Sequence, residues 1–246
     1  MGIGLKTRFS MHLYTICPQC KLPSLQGNSV CKGCGFALDD VQWVQGDALQ
    51  GATIEQRYEL QDFIGEGGSA WVYRGINTDL GARVSIKILK AQYTFESHFL
   101  DRFKREAFSA SHLQHPNIIS VYAIGDTHTG VVYMVGEYVR GLSLADLLDQ
   151  EQRLPFHRAL PIMLQILSGV AEAHGEGIIH RDLKVENVMI TPLRSGEDHV
   201  TIIDFGIAAS QLSVDKKLTR QGELFGTPKL MAPELFQNET ATVASD

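Results

Sequence analysis

Ile178-Ile179-His180-Arg181-Asp182-Leu183-Lys184-Val185-Glu186-Asn187 is the stretch on which the reading of this chain turns. It follows a segment of helical period and precedes the short apolar run Val188-Met189-Ile190, so it reads as a loop between a helix and a strand. Asp182 and Asn187 stand five apart. Seventeen residues beyond Asn187, after a second apolar run at Val200-Thr201-Ile202-Ile203, comes Asp204-Phe205-Gly206. Either triplet, His-Arg-Asp or Asp-Phe-Gly, recurs by chance. Both in this order, each beside a strand-like run, form a specific pattern.

That pattern resembles the H-R-D-L-x-x-x-N catalytic loop and the D-F-G triplet of the eukaryotic-type serine/threonine protein kinases, in their bacterial style. The resemblance covers roughly Tyr58 to the C-terminus. It implies an α+β, bilobal fold, with a small β-rich lobe followed by a mainly helical one. It also implies transfer of the γ-phosphate of ATP, with Mg²⁺ or Mn²⁺, to Ser or Thr hydroxyls of a protein substrate. The residue types suit that chemistry. A hydroxyl nucleophile needs a proton acceptor, the place of Asp182, while the Asn187 amide oxygen and the Asp204 carboxylate suit the metal sites. Lys184, two residues after Asp182, is the pattern expected for Ser/Thr substrates. Arg181 is a cation awaiting an anion from the activation segment, where Thr219 is the best-placed phosphosite.

Upstream motifs appear in the same family order. Ile64-Gly65-Glu66-Gly67-Gly68-Ser69-Ala70-Trp71-Val72 resembles the glycine-rich loop that lies over the phosphates, with Ala70 for its third glycine and Val72 over the adenine. Val84-Ser85-Ile86-Lys87 reads as V-A-I-K with Ser85 for alanine. Strand alternation puts Ser85 and Lys87 on one face, toward the nucleotide, and Val84 and Ile86 on the other. Glu106, on a helix ended by His115-Pro116-Asn117, matches the glutamate that pairs with that lysine. Gly136-Glu137-Tyr138-Val139 resembles the hinge, where Glu137 C=O and Val139 N–H contact adenine. Gly136 replaces a residue that is usually bulky, which predicts an open pocket behind the base. Downstream, the resemblance implies that Thr227 organises the catalytic base, and Leu230 stands where tyrosine is common in the family. Leu160, Met163, Leu164, Leu167, Val170, Ala171 and His174 recur at helical spacing as an apolar stripe. Ser245-Asp246 falls where the family begins a buried helix. The domain is therefore expected to be incomplete, with that stripe undercovered and Glu234 lacking an arginine partner. A kinase-like scaffold that recruits partners is the alternative reading.

All four cysteines lie at Cys17-x-x-Cys20 and Cys31-x-x-Cys34, ten residues between the pairs. Two such knuckles suit one tetrahedral Zn²⁺ in a short ribbon over residues 12–38. Two disulfides, or a rubredoxin-like iron site, would use the same residues. Residues 39–56 read as a polar linker, and 57–246 as the kinase-like domain.

Net charge is −6, and the first 50 residues hold four Lys/Arg against three Asp/Glu, so neither part is a basic nucleic-acid surface. A ribbon with only Lys21 and Lys32 as basic residues is expected to bind an unidentified partner instead. No apolar run reaches membrane-spanning length, and the first residues lack a signal-peptide core, which fits a cytoplasmic chain.

Overall fold

A computed structural model describes residues 13–19, 23–25, 29–31, 34–39, 41, 44–45, 49–67, 69–90, 93, 97–127, 131–205, 230–236 and 241–246. Three short strands open it: β1 (Leu13–Ile16), β2 (Pro23–Leu25) and β3 (Val44–Gln45), in the order β2-β1-β3. Beside them Cys17, Cys31 and Leu38 form a small buried cluster, with Val41 packed against it.

A six-stranded antiparallel sheet follows. Its strands are β4 (Thr53–Ile54), β5 (Tyr58–Glu66), β6 (Ala70–Asn77), β7 (Ala82–Leu89), β8 (Val121–Asp126) and β9 (Val132–Glu137), in the order β4-β5-β6-β7-β9-β8. Helix α1 (Ser97–His112) connects β7 to β8. The period of two divides β9 between two apolar layers. Tyr133 and Val135 join Val84, Ile86 and Ile88 on one side, whereas Val132 and Met134 join Phe103 and Ala107 of α1 on the other. Both faces of β9 are covered, so its first five residues are all buried.

Two short strands lie within residues 39–56, the expected linker. Val44-Gln45 pairs with β1, and Thr53-Ile54 pairs with β5. Ile54 is buried in the apolar layer on β7, worth about 1.5–3 kcal/mol of transfer free energy. Glu55 and Gln56 take φ of 49° and 57°, and Arg57 N–H closes the turn on Ile54 O at 3.0 Å. Two left-handed central residues give a hairpin turn that matches strand twist. Apolar burial at Ile54 outweighs the polar composition around it.

The second lobe holds β10 (Leu142–Ser143), α2 (Leu144–Glu151), α3 (Phe156–Gly175), β11 (Val188–Pro192) and β12 (Asp198–Ile202). Ser143 Oγ accepts the Asp146 N–H at 3.0 Å, a helix cap worth about 1 kcal/mol. Helix α3 packs Ile162, Ile166, Gly169, Val170 and Ala173 inward. A Cβ at Gly169 would lie 3.0 Å from Ile202 Cδ1, so the glycine lets helix and strand approach closely.

The sequence stripe is therefore only partly the packed face. Leu160, Met163, Leu164 and Leu167 are 43–57% exposed. The helix is apolar on two sides, and periodicity alone does not say which is covered. A short helix, α4 (Pro233–Phe236), lies near the end. Among the described residues no helix is long and apolar enough to cross a membrane.

Candidate active site

The loop between α3 and β11 is tied down from several directions. Residue Asp246, whose side chain is 1% exposed, places Oδ2 2.7 Å from His180 N and Oδ1 2.6 Å from Arg181 N. His174 Nε2 lies 2.8 Å from the same carboxylate. His180 is fully buried and bridges two segments. Its Nε2 donates to Ile203 O at 3.1 Å, and its Nδ1 accepts Asp182 N–H at 3.3 Å. That pattern fixes the neutral tautomer, and burial holds its pKa below the ordinary histidine value. Phe205 stacks on the same ring at 4.7 Å.

Arg181 and Asp204 adopt left-handed φ of 67° and 54°. Such backbone costs about 1–3 kcal/mol per residue and persists where its surroundings over-determine it. Here the over-determination comes from Asp246 on one side and the His180–Phe205 stack on the other.

The strained loop aims a chain of polar groups outward. Asp182 Oδ2 accepts from Lys184 Nζ at 2.9 Å and from Asn187 Nδ2 at 3.2 Å. Asn187 Nδ2 also donates to Asp182 O at 2.8 Å. With the amide nitrogen so engaged, Asn187 Oδ1 has no partner among the described residues. Across from it, Asp204 Oδ1 accepts from Lys87 Nζ at 2.9 Å. The Lys87 ammonium holds the Asp204 carboxyl below the usual carboxylate range, with His180 and Lys184 adding to the effect. An open amide oxygen and an ionised carboxylate form a hard, oxygen-only donor set, which fits Mg²⁺ or Mn²⁺.

Sheet register supplies the opposite wall. Gly65, Val72, Lys87 and Met134 lie in one row across four strands, and Ser85 pairs with Gly136 two rows on. Val84, Ile86 and Ile88 are buried, while Ser85 and Lys87 are only half-buried, as the alternation predicts. Ile64 is 48% exposed at the edge of this wall. Glu137 ends β9, and Val139 follows it, also half-buried.

Gly136 corrects an expectation. A Cβ built there would meet Ser120 O at 2.9 Å and Ser85 Oγ at 3.4 Å. Backbone, with Ser120 O accepting Glu137 N–H at 2.8 Å, occupies the space that a missing side chain was expected to leave open. Glu234 pairs with no arginine among the described residues and accepts instead from Ser245 Oγ, at 2.5 Å from its Oε1. Arg181 Nη1 is buried without a hydrogen-bond partner, in keeping with a cation awaiting an anion. The Glu106 side chain, Thr219, Thr227, Gly206 and the rest of 206–229 lie outside the described residues, as do Gly68 and Cys20.

The other three cysteines converge. Cys17, Cys31 and Cys34 place their sulfurs within 4.8 Å of one another, Cys17 and Cys34 at 3.6 Å. That is too long for a disulfide. It suits sulfurs about 2.3 Å from one tetrahedral ion, which lie about 3.8 Å apart.

Two anchors escaped the motif reading. Asp246 was noted only for its position, and Asn117 only as part of a helix break. Asn117 Nδ2 donates to Val200 O at 2.8 Å and its backbone O accepts Ile202 N–H at 2.8 Å, clamping β12. A single Asp or Asn with long-range partners leaves no periodic trace; His115-Pro116-Asn117 was the one local signal.

The protein kinase domain profile matches residues 58–246. The serine/threonine-protein kinase pkn3 of Myxococcus xanthus is 42% identical over 202 residues, covering 81% of this chain and 37% of that protein. PrkC of Bacillus subtilis, a serine/threonine-protein kinase, is 38% identical over 198 residues, 80% of this chain and 30% of that protein. The chain thus spans about a third of the length of these curated relatives. Among solved structures, the PknI kinase domain of Mycobacterium tuberculosis superposes with a TM-score of 0.61 at 25% identity, covering 80% of this chain and 71% of that one. From Tyr58 onward, with its two-layered sheet lobe, strained loop and Lys87–Asp204 pair, this chain belongs to the protein kinase domain family.

Proposed function

We propose that the protein is an ATP-dependent serine/threonine protein kinase, phosphorylating hydroxyls of a protein substrate. The observation that carries the reading is the arrangement of Asp182: Lys184 and Asn187 Nδ2 hold its carboxylate, and Asn187 Oδ1 remains open. Asp182 orients the acceptor hydroxyl and takes its proton. Lys184 stands beside it as a cation for the transferring phosphoryl group. Lys87 would neutralise charge on the nucleotide phosphates, and Asn187 with Asp204 would hold a divalent ion, which would supply further charge neutralisation there. Gly65, Gly67 and Val72 cover the nucleotide, whose base edge meets Glu137 and Val139. Glu106 and Thr227 complete the set, as partner of Lys87 and organiser of the base. The relatives' names support the Ser/Thr class.

The N-terminal thiols hold a structural Zn²⁺, with Cys20 as the fourth ligand. Three convergent thiols support this. Four thiolates leave no open position, so the ribbon serves a binding partner and not chemistry. A metal-binding role for these thiols, with no disulfide among them, also supports a reducing, cytoplasmic location.

The test is Mg²⁺-dependent incorporation of labelled γ-phosphate into a generic Ser/Thr protein substrate, beside Asp182→Asn. Activity well above that variant supports the reading. Activity equal to it makes the chain a binding scaffold.

A further inference from the structure

Ser85 stands out among the groups lining the nucleotide wall. It lies two residues before Lys87 on the same strand face. Its Oγ makes no hydrogen bond among the described residues. Opposite it is Gly136, which contributes no side chain, and the space between is closed by Ser85 Oγ and Ser120 O. Beside Gly136 the site face thus carries the Ser85 hydroxyl where a bulky apolar side chain is usual. A base seated there would strip water from the Ser85 hydroxyl, and an unpaired buried hydroxyl is costly.

We propose that Ser85 reads the exocyclic 6-amino group of adenine, an inference that rests on the kinase reading above. That amino group carries two hydrogens. Glu137 C=O takes one along the hinge; the other points toward the back wall, where Ser85 Oγ accepts it. Ser120 O is engaged between the strands by Glu137 N–H at 2.8 Å, whereas Ser85 Oγ on the site face makes no hydrogen bond among the described residues. Ser85 is then a specificity-determining residue that favours a 6-amino purine over one bare at that position.

The experiment measures dissociation constants of the full-length protein for ATP and for purine riboside triphosphate, which lacks the 6-amino group, both with Mg²⁺. Ser85→Ala should weaken ATP roughly two- to tenfold, the range of one hydrogen bond, and leave the purine analogue unchanged. Ser85→Cys, a weak acceptor, should behave as alanine does and carries the test if Ser85→Ala does not fold. Equal loss for both nucleotides, or no loss for ATP, overturns the assignment of Ser85. Absence of ATP binding by the unaltered protein overturns the kinase reading, and this assignment with it.

Discussion

Lys87 Nζ and Asp204 Oδ1 meet at 2.9 Å across 117 residues of chain, joining the sheet lobe to the loop that follows β12. The pair spans the cleft in which the two lobes face each other. Asp204 keeps its charge because the ammonium opposes protonation.

Removing the cation should be visible on the anion. In Lys87→Met the Asp204 carboxyl should titrate closer to the ordinary carboxylate value, as followed by NMR of labelled aspartate. A folded-state pKa below the unfolded one gives stability that is present above about pH 4 and fades as pH falls through the folded value. The variant should lose that acid-limb dependence, and phosphoryl transfer should drop about 10²–10³-fold. An unchanged Asp204 titration would break the proposed coupling.

His180 titrates with the opposite chemistry and the same direction. Its buried ring is held neutral, so the unfolded chain binds a proton that the folded chain refuses. Stability should be complete above the unfolded value near pH 6.5 and decline as pH falls toward the lower folded value. His180→Leu should flatten that slope while costing about 1–3 kcal/mol for the partners it abandons. Melting temperatures of both proteins from pH 5 to 7.5 decide it.

Gly136→Met should destabilise the protein. Its Cβ would start 2.9 Å from a backbone oxygen, which cannot rotate away as a side chain can. Overpacking of this kind costs about 1–3 kcal/mol. A higher melting temperature in the variant would mean that the segment at Ser120 shifts freely and that the pocket is deeper than the geometry allows.

Protein purified under reducing conditions should carry one zinc per chain by elemental analysis. Strong chelation should release it and abolish the native environment of Cys17 and Cys31 while the nucleotide-site lobes still melt cooperatively. Cys17→Ser should give the same apo behaviour without chelator. Metal-free protein with intact ribbon shifts would contradict the assignment.

The parts of the fold legible in the sequence were those written locally. Lys87 and Ser85 followed from alternation, because a strand in a two-layered lobe has one apolar face and one site face. Asp182, Asn187 and Asp204 were legible through their match to the family's loop motifs, in which a loop of fixed length sets where each side chain emerges. The strands at 44–45 and 53–54 were missed because two residues are too few to carry a period. The exposed Leu160, Met163, Leu164 and Leu167 agree with the expected undercovered stripe on α3, whereas the packed side at Ile162 and Ile166 was not legible, because both sides are equally apolar and only the position of β12 separates them. Asp246 and Asn117 were hidden for a related reason: each acts on backbone groups far away in sequence, and backbone groups have no letter.

The grip of Asp246 on His180 and Arg181 has a consequence for the order of events during synthesis. Its carboxylate lies 66 residues after the backbone it holds. At about 5–20 residues per second, a ribosome takes several seconds to travel that distance. In the later part of that interval the nascent chain already contains Lys87, Asp182 and Asp204, but not the carboxylate that holds the left-handed turn at Arg181. The turn that carries Asp182 is therefore encoded early and secured late, so in a half-made chain that loop lacks one of its anchors.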